Sequence, residues 1–209
     1  MPARHCGSRL RFTWPFLPSR STAGAAGRRW RPDPMLHVCF TGVESTGKST
    51  LAEQLSQALG GALMPEYGRE YAETIGTDFT PDALRMIATE HQRRRQAMVA
   101  RRPALLIEDT DIVTTAAWFR MLHRTRDPIL SAMPSSADLY LLFAPDTPWV
   151  ADGTRQFVGT ERMRFQQVIE NELALRGIAP VLISGNWAQR RTQAESAIRT
   201  ALAKREALS

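Results

Sequence analysis

Residues 36–50 read LHVCFTGVESTGKST and decide the fold: an apolar run comes first, then a loop bounded by glycines, then the start of a helical pattern. From Gly42 to Ser49 the sequence fits G-x-x-x-x-G-K-[ST], the phosphate-binding loop, in the strand–loop–helix context that this motif needs. Glycines let the backbone turn so that successive N–H groups point at phosphate oxygens, and the positive end of the following helix strengthens this attraction. The stretch therefore predicts a site for the phosphates of a nucleotide.

Two side chains of this loop supply a charge and a metal ligand. Lys48 can reach the β- and γ-phosphates, and the Ser49 hydroxyl can bind Mg²⁺. Only two of the 27 basic residues are lysine, Lys48 and Lys204, so chance is a poor explanation for a lysine at this motif position. The residues expected to hold the nucleotide are Gly42, Glu44, Ser45, Thr46, Gly47, Lys48, Ser49 and Thr50.

The charge of the chain is concentrated at its beginning. The net charge is +6, and residues 1–34 hold seven arginines against one acidic residue, so basic and acidic residues balance from residue 35 onward. The folded part therefore offers no charge-based case for nucleic-acid binding. At 209 residues and 43% hydrophobic content, the chain is expected to form one soluble globular domain.

The N-terminal arm, residues 1–34, is predicted to be a disordered basic extension ahead of a folded domain at 35–209. The arm has no apolar run long enough for a signal peptide or a membrane span, so no membrane partner is expected. Its Arg and Ser content also allows a transit peptide, although we favour a biological start at Met35. With Cys6 and Cys39 as the only cysteines, we expect no disulfide framework and a cytoplasmic location.

Beyond the loop, apolar runs of strand length alternate with segments of helical pattern. This alternation is typical of a parallel sheet buried on both faces, so we predict a three-layer α/β fold with a mostly parallel central sheet. The strands predicted after the first are residues 62–64, 104–107, 139–143 and 181–183. The predicted helices are 48–59, 80–100, 112–123, 161–176 and a C-terminal helix that follows residues 184–186.

Acidic side chains follow two of these strands. Asp109 ends an apolar run, where a carboxylate can hold Mg²⁺ directly or through water; its alternative role is a helix N-cap, which Asp111 could also fill. Glu66 follows the second strand at the same sheet edge, where it can orient an attacking hydroxyl and accept its proton. For Glu66, Arg69 and Glu70 the alternative is a solvated turn with local ion pairs.

The irregular stretch from Trp149 to Arg155, followed by Arg162 and Arg164, is interpreted as a mobile lid. Arginines that close from a loop can stabilise the charge of a transferred phosphoryl group and exclude water. The alternative is an exposed loop whose arginines face solvent.

Other charged and metal-binding residue types are given structural interpretations. The run Arg93-Arg94-Arg95 lies within a predicted helix and is interpreted as a solvated face. His91, His123 and Cys39 do not have metal-ligand spacing, so no zinc site is assigned.

Together these motifs resemble one family, the ribosylnicotinamide kinase domain of the NadR proteins, from about Met35 to the C-terminus. The matching segments, in the same order, are residues 42–49, 65–70, 109–111, 145–155 and 184–186. The resemblance implies a P-loop kinase domain over 35–209, of the AAA type, that uses ATP and Mg²⁺ to phosphorylate the 5′-hydroxyl of nicotinamide riboside. NadR proteins also carry a nucleotidyltransferase domain, and some carry a DNA-binding domain; residues 1–34 are too short for either, so neither activity is expected.

The resemblance also implies roles for individual residues. The expected catalytic residues are Lys48, Glu66, Asp109, Arg155 and Arg162. Ser49 and Asp109 are expected to bind Mg²⁺. Gly185 and Asn186 are expected to border the adenine. Because the pyridinium ring of nicotinamide riboside favours aromatic faces and carboxylates, the expected substrate contacts include Glu66, Tyr67, Asp111, Trp118, Trp149 and Asp152. Arg69, in the matching segment 65–70, is also an expected substrate contact.

Two other functions are compatible with the same residues. One is a P-loop kinase for a different nucleoside-like alcohol. The other is a nucleotide-dependent regulatory ATPase or binding module, whose basic arm contacts an acidic partner.

Overall fold

The computed structural model describes residues 35–151, 153 and 155–207. The predictions for residues 1–34 and for Asp152 lie outside the described residues.

A five-stranded sheet forms the centre of the domain. Its strands are β1 (Leu36–Gly42), β2 (Ala62–Met64), β3 (Leu105–Asp109), β4 (Leu139–Phe143) and β5 (Val181–Ile183). They lie in the order β2-β3-β1-β4-β5, and every neighbouring pair is parallel. Because all strands run the same way and β1 is central, the loop after β1 lies at the middle of the carboxyl edge.

Seven helices are described. They are α1 (Lys48–Ala58), α2 (Tyr67–Thr74), α3 (Pro81–Val99), α4 (Ile112–His123), α5 (Pro128–Ala132), α6 (Thr160–Leu175) and α7 (Trp187–Glu206). The start of α3 is capped by the Thr80 hydroxyl, which accepts from the Ala83 N–H, and Pro81 occupies the first turn. The sequence predicted neither α2 nor α5; α5, at five residues, is too short to show a helical period.

Helices cover both faces of the sheet, which confirms the three-layer prediction. On one face, α1 and α7 pack on Val38 and Phe40 of β1; on the other, α4 and α6 pack on Cys39 and its neighbours. Successive side chains of a strand point to opposite faces, so a strand that is buried along its whole length, such as β1, supplies both cores. The edge strand β5 is the exception, because Val181 and Leu182 are exposed. Among the described residues, no helix is long and apolar enough to cross a bilayer.

Candidate active site

The phosphate-binding loop, residues 43–47, joins β1 to α1 and needs both of its flanking glycines. Gly42 has φ 128° and Gly47 has φ 81°, in the region that L side chains rarely adopt. A Cβ at Gly42 would lie 2.6 Å from the Phe143 carbonyl oxygen, and one at Gly47 would lie 2.6 Å from the Trp187 ring. The two glycines thus allow the loop to turn sharply and to lie against its neighbours.

Lys48 begins α1 at the end of this loop, where the charges of three carboxylates act on it. Its Nζ donates to the Val43 carbonyl over 2.7 Å, and the side chain is buried. Burial lowers the pKa of Lys48, while the charges of Asp109, Glu66 and Glu44 oppose that shift. Both predicted acidic strand ends therefore act on the loop lysine, at one edge of the sheet.

Asp109 and Ser49 form an oxygen donor set beside Lys48. Asp109 ends β3, is almost fully buried, and its Oδ1 has no hydrogen-bond partner among the described residues. Burial raises the pKa of Asp109; Lys48 and the Ser49 hydroxyl oppose this shift. A buried carboxylate with one unpaired oxygen, next to a hydroxyl, has the chemistry that Mg²⁺ prefers, so these residues fit the ion.

Glu66 lies directly before α2 and is half-buried. Burial and the nearby charge of Asp109 raise its pKa to about 7, although Lys48, Arg69 and His91 oppose the rise. A carboxyl with this pKa can gain or lose a proton near neutral pH, as a general base requires.

Lys48, Ser49 and Glu66 line one cavity of ≈ 320 Å³, whereas Asp109 is not among the described residues that line it. The predicted site residues that line it are Gly42, Glu44, Ser45, Thr46, Gly47, Lys48, Ser49, Thr50, Glu66, Arg69, Trp118 and Arg155. The lining residues that sequence reasoning missed are Gly68, Ala72, Phe79, Leu84, Ile87, His91, Thr110, Thr114, Thr115 and Phe165. Leu84, Ile87 and His91 recur at helical spacing on α3, a signal that is indistinguishable from that of an ordinary core face.

Aromatic rings form the apolar part of this cavity. The Trp118 ring centroid lies 5.4 Å from that of Phe79 and 5.3 Å from that of Phe165. Trp118 also packs against two hydrophobic cores, so it is a core residue as well as a residue of the cavity lining. Phe79, Trp118 and Phe165 therefore give the cavity an aromatic part of its lining.

Several predicted residues have other partners. The Asp111 carboxylate caps α4, accepts from the Val113 N–H over 2.9 Å and accepts from the Tyr140 hydroxyl over 2.5 Å. The Tyr67 ring lies under the Arg94 guanidinium, whose centre is 4.3 Å from the ring centroid. Neither Asp111 nor Tyr67 is among the described residues that line the cavity.

The residues predicted to border the adenine stabilise the start of α7. Asn186 caps this helix by accepting from the Gln189 N–H over 3.0 Å, and the Gly185 N–H donates to the Asp146 carboxylate over 2.7 Å. Trp149, like these two residues, is absent from the cavity lining of the described chain.

Two of the three predicted lid arginines, Arg155 and Arg162, differ in position. Arg155 lines the cavity, and its guanidinium donates to the Val150 carbonyl. Arg162 is buried, and it donates to the carbonyl groups of Glu44 and Thr147. The structure thus places one of them at the cavity and the other behind the loop.

A buried ionic cluster supports the floor of the site. Glu108 of β3 is fully buried, with its carboxylate oxygens 2.6 Å from His37 Nε2 and 2.8 Å from His91 Nε2. Burial raises the pKa of Glu108, but these two histidines lower it further, to about 2. Arg95 is also buried, 3.8 Å from Glu108, so the interpretation of residues 93–95 as a solvated face is wrong for Arg95.

The structural likeness to known proteins extends over most of the chain. A structure of NadR protein in complex with NR gives a TM-score of 0.66 at 22% identity and covers 79% of this chain and 51% of that one. A structure of NadR protein in complex with NAD and AMP-PNP gives 0.62 at 21% identity, with 79% and 49% covered. Thymidylate kinase from Ehrlichia chaffeensis gives 0.56 at 15% identity, with 79% and 98% covered. These matches show a P-loop kinase fold.

Sequence comparison points to the same proteins. The trifunctional NAD biosynthesis/regulator proteins NadR of Escherichia coli (strain K12) and Salmonella typhimurium (strain LT2) are each 32% identical to this chain over 139 residues, which is 63% of the chain. The aligned region is 34% of each relative, so the chain spans about a third of their length. The profile of an AAA domain family, AAA_28, matches residues 37–190, well over half of the sequence. The chain belongs to this AAA domain family.

Proposed function

We propose that this chain is a small-molecule kinase that transfers the γ-phosphoryl group of ATP to the 5′-hydroxyl of nicotinamide riboside. The observation that carries the proposal is the convergence of Lys48, Asp109 and Glu66, whose charges act on one another beside one cavity. The similarity to NadR, one of whose structures contains NR, supports the choice of acceptor.

In this proposal the phosphates of ATP lie along residues 43–50, with the backbone N–H groups of the loop as donors. Lys48 exchanges the Val43 carbonyl for phosphate oxygens, which places its charge against the β- and γ-phosphates. Ser49 and Asp109 would hold Mg²⁺, which when bound neutralises phosphate charge. Gly185 and Asn186 remain the predicted neighbours of the adenine.

Glu66 is the proposed general base. It accepts the proton of the acceptor hydroxyl as that oxygen bonds to the γ-phosphorus, while the bond from this phosphorus to the β,γ-bridging oxygen breaks and ADP departs. Arg69 and Arg155 line the same cavity, where their positive charges stabilise the transferred group. Arg162 instead donates to the Glu44 carbonyl of the loop, so we assign it the role of supporting the loop.

We propose that the pyridinium ring binds against the aromatic side chains around Trp118. A cation over the face of an aromatic ring is attracted by the ring quadrupole, and the carboxylates near the cavity add to this attraction. Contacts from Tyr67, Asp111, Trp149 and Asp152 to the substrate remain predictions.

An ADP-release assay with a panel of acceptors tests the proposal. Nicotinamide riboside should give turnover, whereas thymidine, deoxyadenosine and a no-acceptor control should give much less. Lys48→Ala should abolish this turnover, and Lys204→Ala, which changes the other lysine on an exposed position of α7, should preserve it. Turnover with a different alcohol would instead identify the chain as a kinase for that alcohol, and ADP release that is independent of every acceptor would identify a regulatory ATPase.

A further inference from the structure

The carbonyl side of the phosphate-binding loop is fully occupied by donors. The Val43 carbonyl accepts from Lys48 and the Thr46 hydroxyl, and the Gly47 carbonyl accepts from the Leu51 N–H. The carbonyls of Glu44, Ser45 and Thr46 accept hydrogen bonds from residues outside the loop and its helix. Arg162 donates to the Glu44 carbonyl, and both Thr147 and Arg162 donate to the Ser45 carbonyl. Arg190 donates to the Thr46 carbonyl.

Three side chains therefore hold the middle of the loop from behind. The Thr147 hydroxyl donates to the Ser45 carbonyl over 2.6 Å. Arg162 donates to the Glu44 carbonyl over 3.1 and 3.2 Å, and Arg190 donates to the Thr46 carbonyl over 3.3 Å. A peptide group has its N–H opposite its C=O, so fixing these carbonyls away from the cavity turns the N–H groups of the next residues toward it.

The same side chains join the loop to the segment that follows β4, residues 144–147. Arg162 donates to the Pro145 and Thr147 carbonyls over 3.2 and 2.8 Å. Arg190 donates to the Ala144 carbonyl over 3.0 Å and pairs with the Asp146 carboxylate. The same two arginines thus donate to the loop and to the segment after β4, which anchors the loop to the sheet.

The two arginines that hold the loop are buried, and burying a cation costs free energy unless its donors have acceptors. Arg190 is 1% exposed and Arg162 is 7% exposed, and burial lowers the pKa of both guanidinium groups. A buried cation needs its hydrogen bonds satisfied, so each guanidinium has a strong requirement for the carbonyls it contacts. These hydrogen bonds therefore restrain the loop carbonyls as well as the arginine side chains.

We propose that Thr147, Arg162 and Arg190 are positioning residues of the nucleotide site, which preorganise the phosphate-binding loop through its carbonyls without contacting the nucleotide. The inference rests on the proposed function for its ligand, ATP. Preorganised N–H groups bind phosphate without first losing loop entropy, so the effect should appear in nucleotide affinity.

Thr147 gives the cleanest test, because it is half-buried and valine has nearly its shape. Thr147→Val removes the hydroxyl that fixes the Ser45 carbonyl, whereas the matched control Thr147→Ser keeps it. Calorimetric titration with AMP-PNP and Mg²⁺ should give a Kd about five- to tenfold higher for the valine variant and within about twofold of wild type for the serine variant. The Kd for nicotinamide riboside, titrated alone, should be the same in all three proteins.

Three results would overturn this proposal: unchanged AMP-PNP affinity in Thr147→Val, equal losses in the valine and serine variants, or an equal loss of acceptor affinity. Arg190→Lys, which keeps the charge but not the fork of donors, should also weaken AMP-PNP binding more than acceptor binding. A wild-type protein that binds AMP-PNP but does not phosphorylate nicotinamide riboside would reject the proposed function, and the Thr147 comparison would still decide this inference. A wild-type protein without affinity for AMP-PNP would reject both.

Discussion

The raised pKa of Glu66 makes the proposed reaction dependent on pH in a defined direction. Burial and the charge of Asp109 bring this pKa to about 7. Because only the ionised carboxylate can accept the hydroxyl proton, Glu66 is active in about 10% of molecules at pH 6 and about 90% at pH 8. We therefore expect kcat/KM for the acceptor to rise about tenfold between these pH values and to level off above them.

Replacing the base should remove both the rate and its pH dependence. Glu66→Gln keeps the size of the side chain but cannot accept the proton, so kcat should fall by about 10²–10⁴-fold. ADP release, measured from about pH 5.5 to about pH 9, gives the profile for each protein. Glu53→Gln, an exposed change on α1, is the matched control and should behave as wild type. The assignment fails if wild-type kcat/KM is flat between pH 6 and 8, or if Glu66→Gln retains the rise.

Three further predictions concern groups that support the site. The depressed pKa of Glu108, about 2 against an ordinary 4.5, corresponds to roughly 3 kcal/mol of stability that is present above pH 4.5 and lost as pH falls toward 2. Urea unfolding at neutral and acid pH should show this loss in wild type, and Glu108→Gln should lack it; parallel pH dependences would contradict the assignment. Gly47→Ala should weaken AMP-PNP binding, because its Cβ would lie 2.6 Å from the Trp187 ring at a φ of 81°; a wild-type Kd by calorimetry would show that the loop tolerates the change. Asp111→Ala removes the cap of α4 and the acceptor of the Tyr140 hydroxyl, so the free energy of unfolding should fall by about 1–3 kcal/mol, whereas an unchanged urea midpoint would argue against both roles.

The layered fold was predictable because its signals are local. The phosphate-binding motif fixed the first strand, its loop and α1, and unbroken apolar runs marked the buried strands. The order of the strands depends on crossovers between distant segments, and no window of sequence carries that information. The helix α5 was missed for a related reason, since five residues are too few for a period of 3.6.

The site residues that lie at strand ends could be predicted from the sequence. Those whose position depends on tertiary packing could not. Asp109 and Glu66 could be placed because the carboxyl ends of parallel strands share one edge. Arg95 looks like its two neighbours in sequence, and only the turn of α3 directs it to Glu108. The charge of Arg162 suggests contact with the transferred phosphoryl group, yet its partners include carbonyls 117 and 118 residues away in sequence. Contacts of that separation follow from the completed fold.

The placement of Arg190 on α7 has a consequence for how the domain becomes functional during synthesis. The Thr46 carbonyl and the arginine that holds it are 144 residues apart. A chain still emerging from the ribosome acquires the glycine-rich motif early, but this contact cannot form until α7 has been made and has docked on the sheet. Full nucleotide affinity should therefore appear only after α7 has docked.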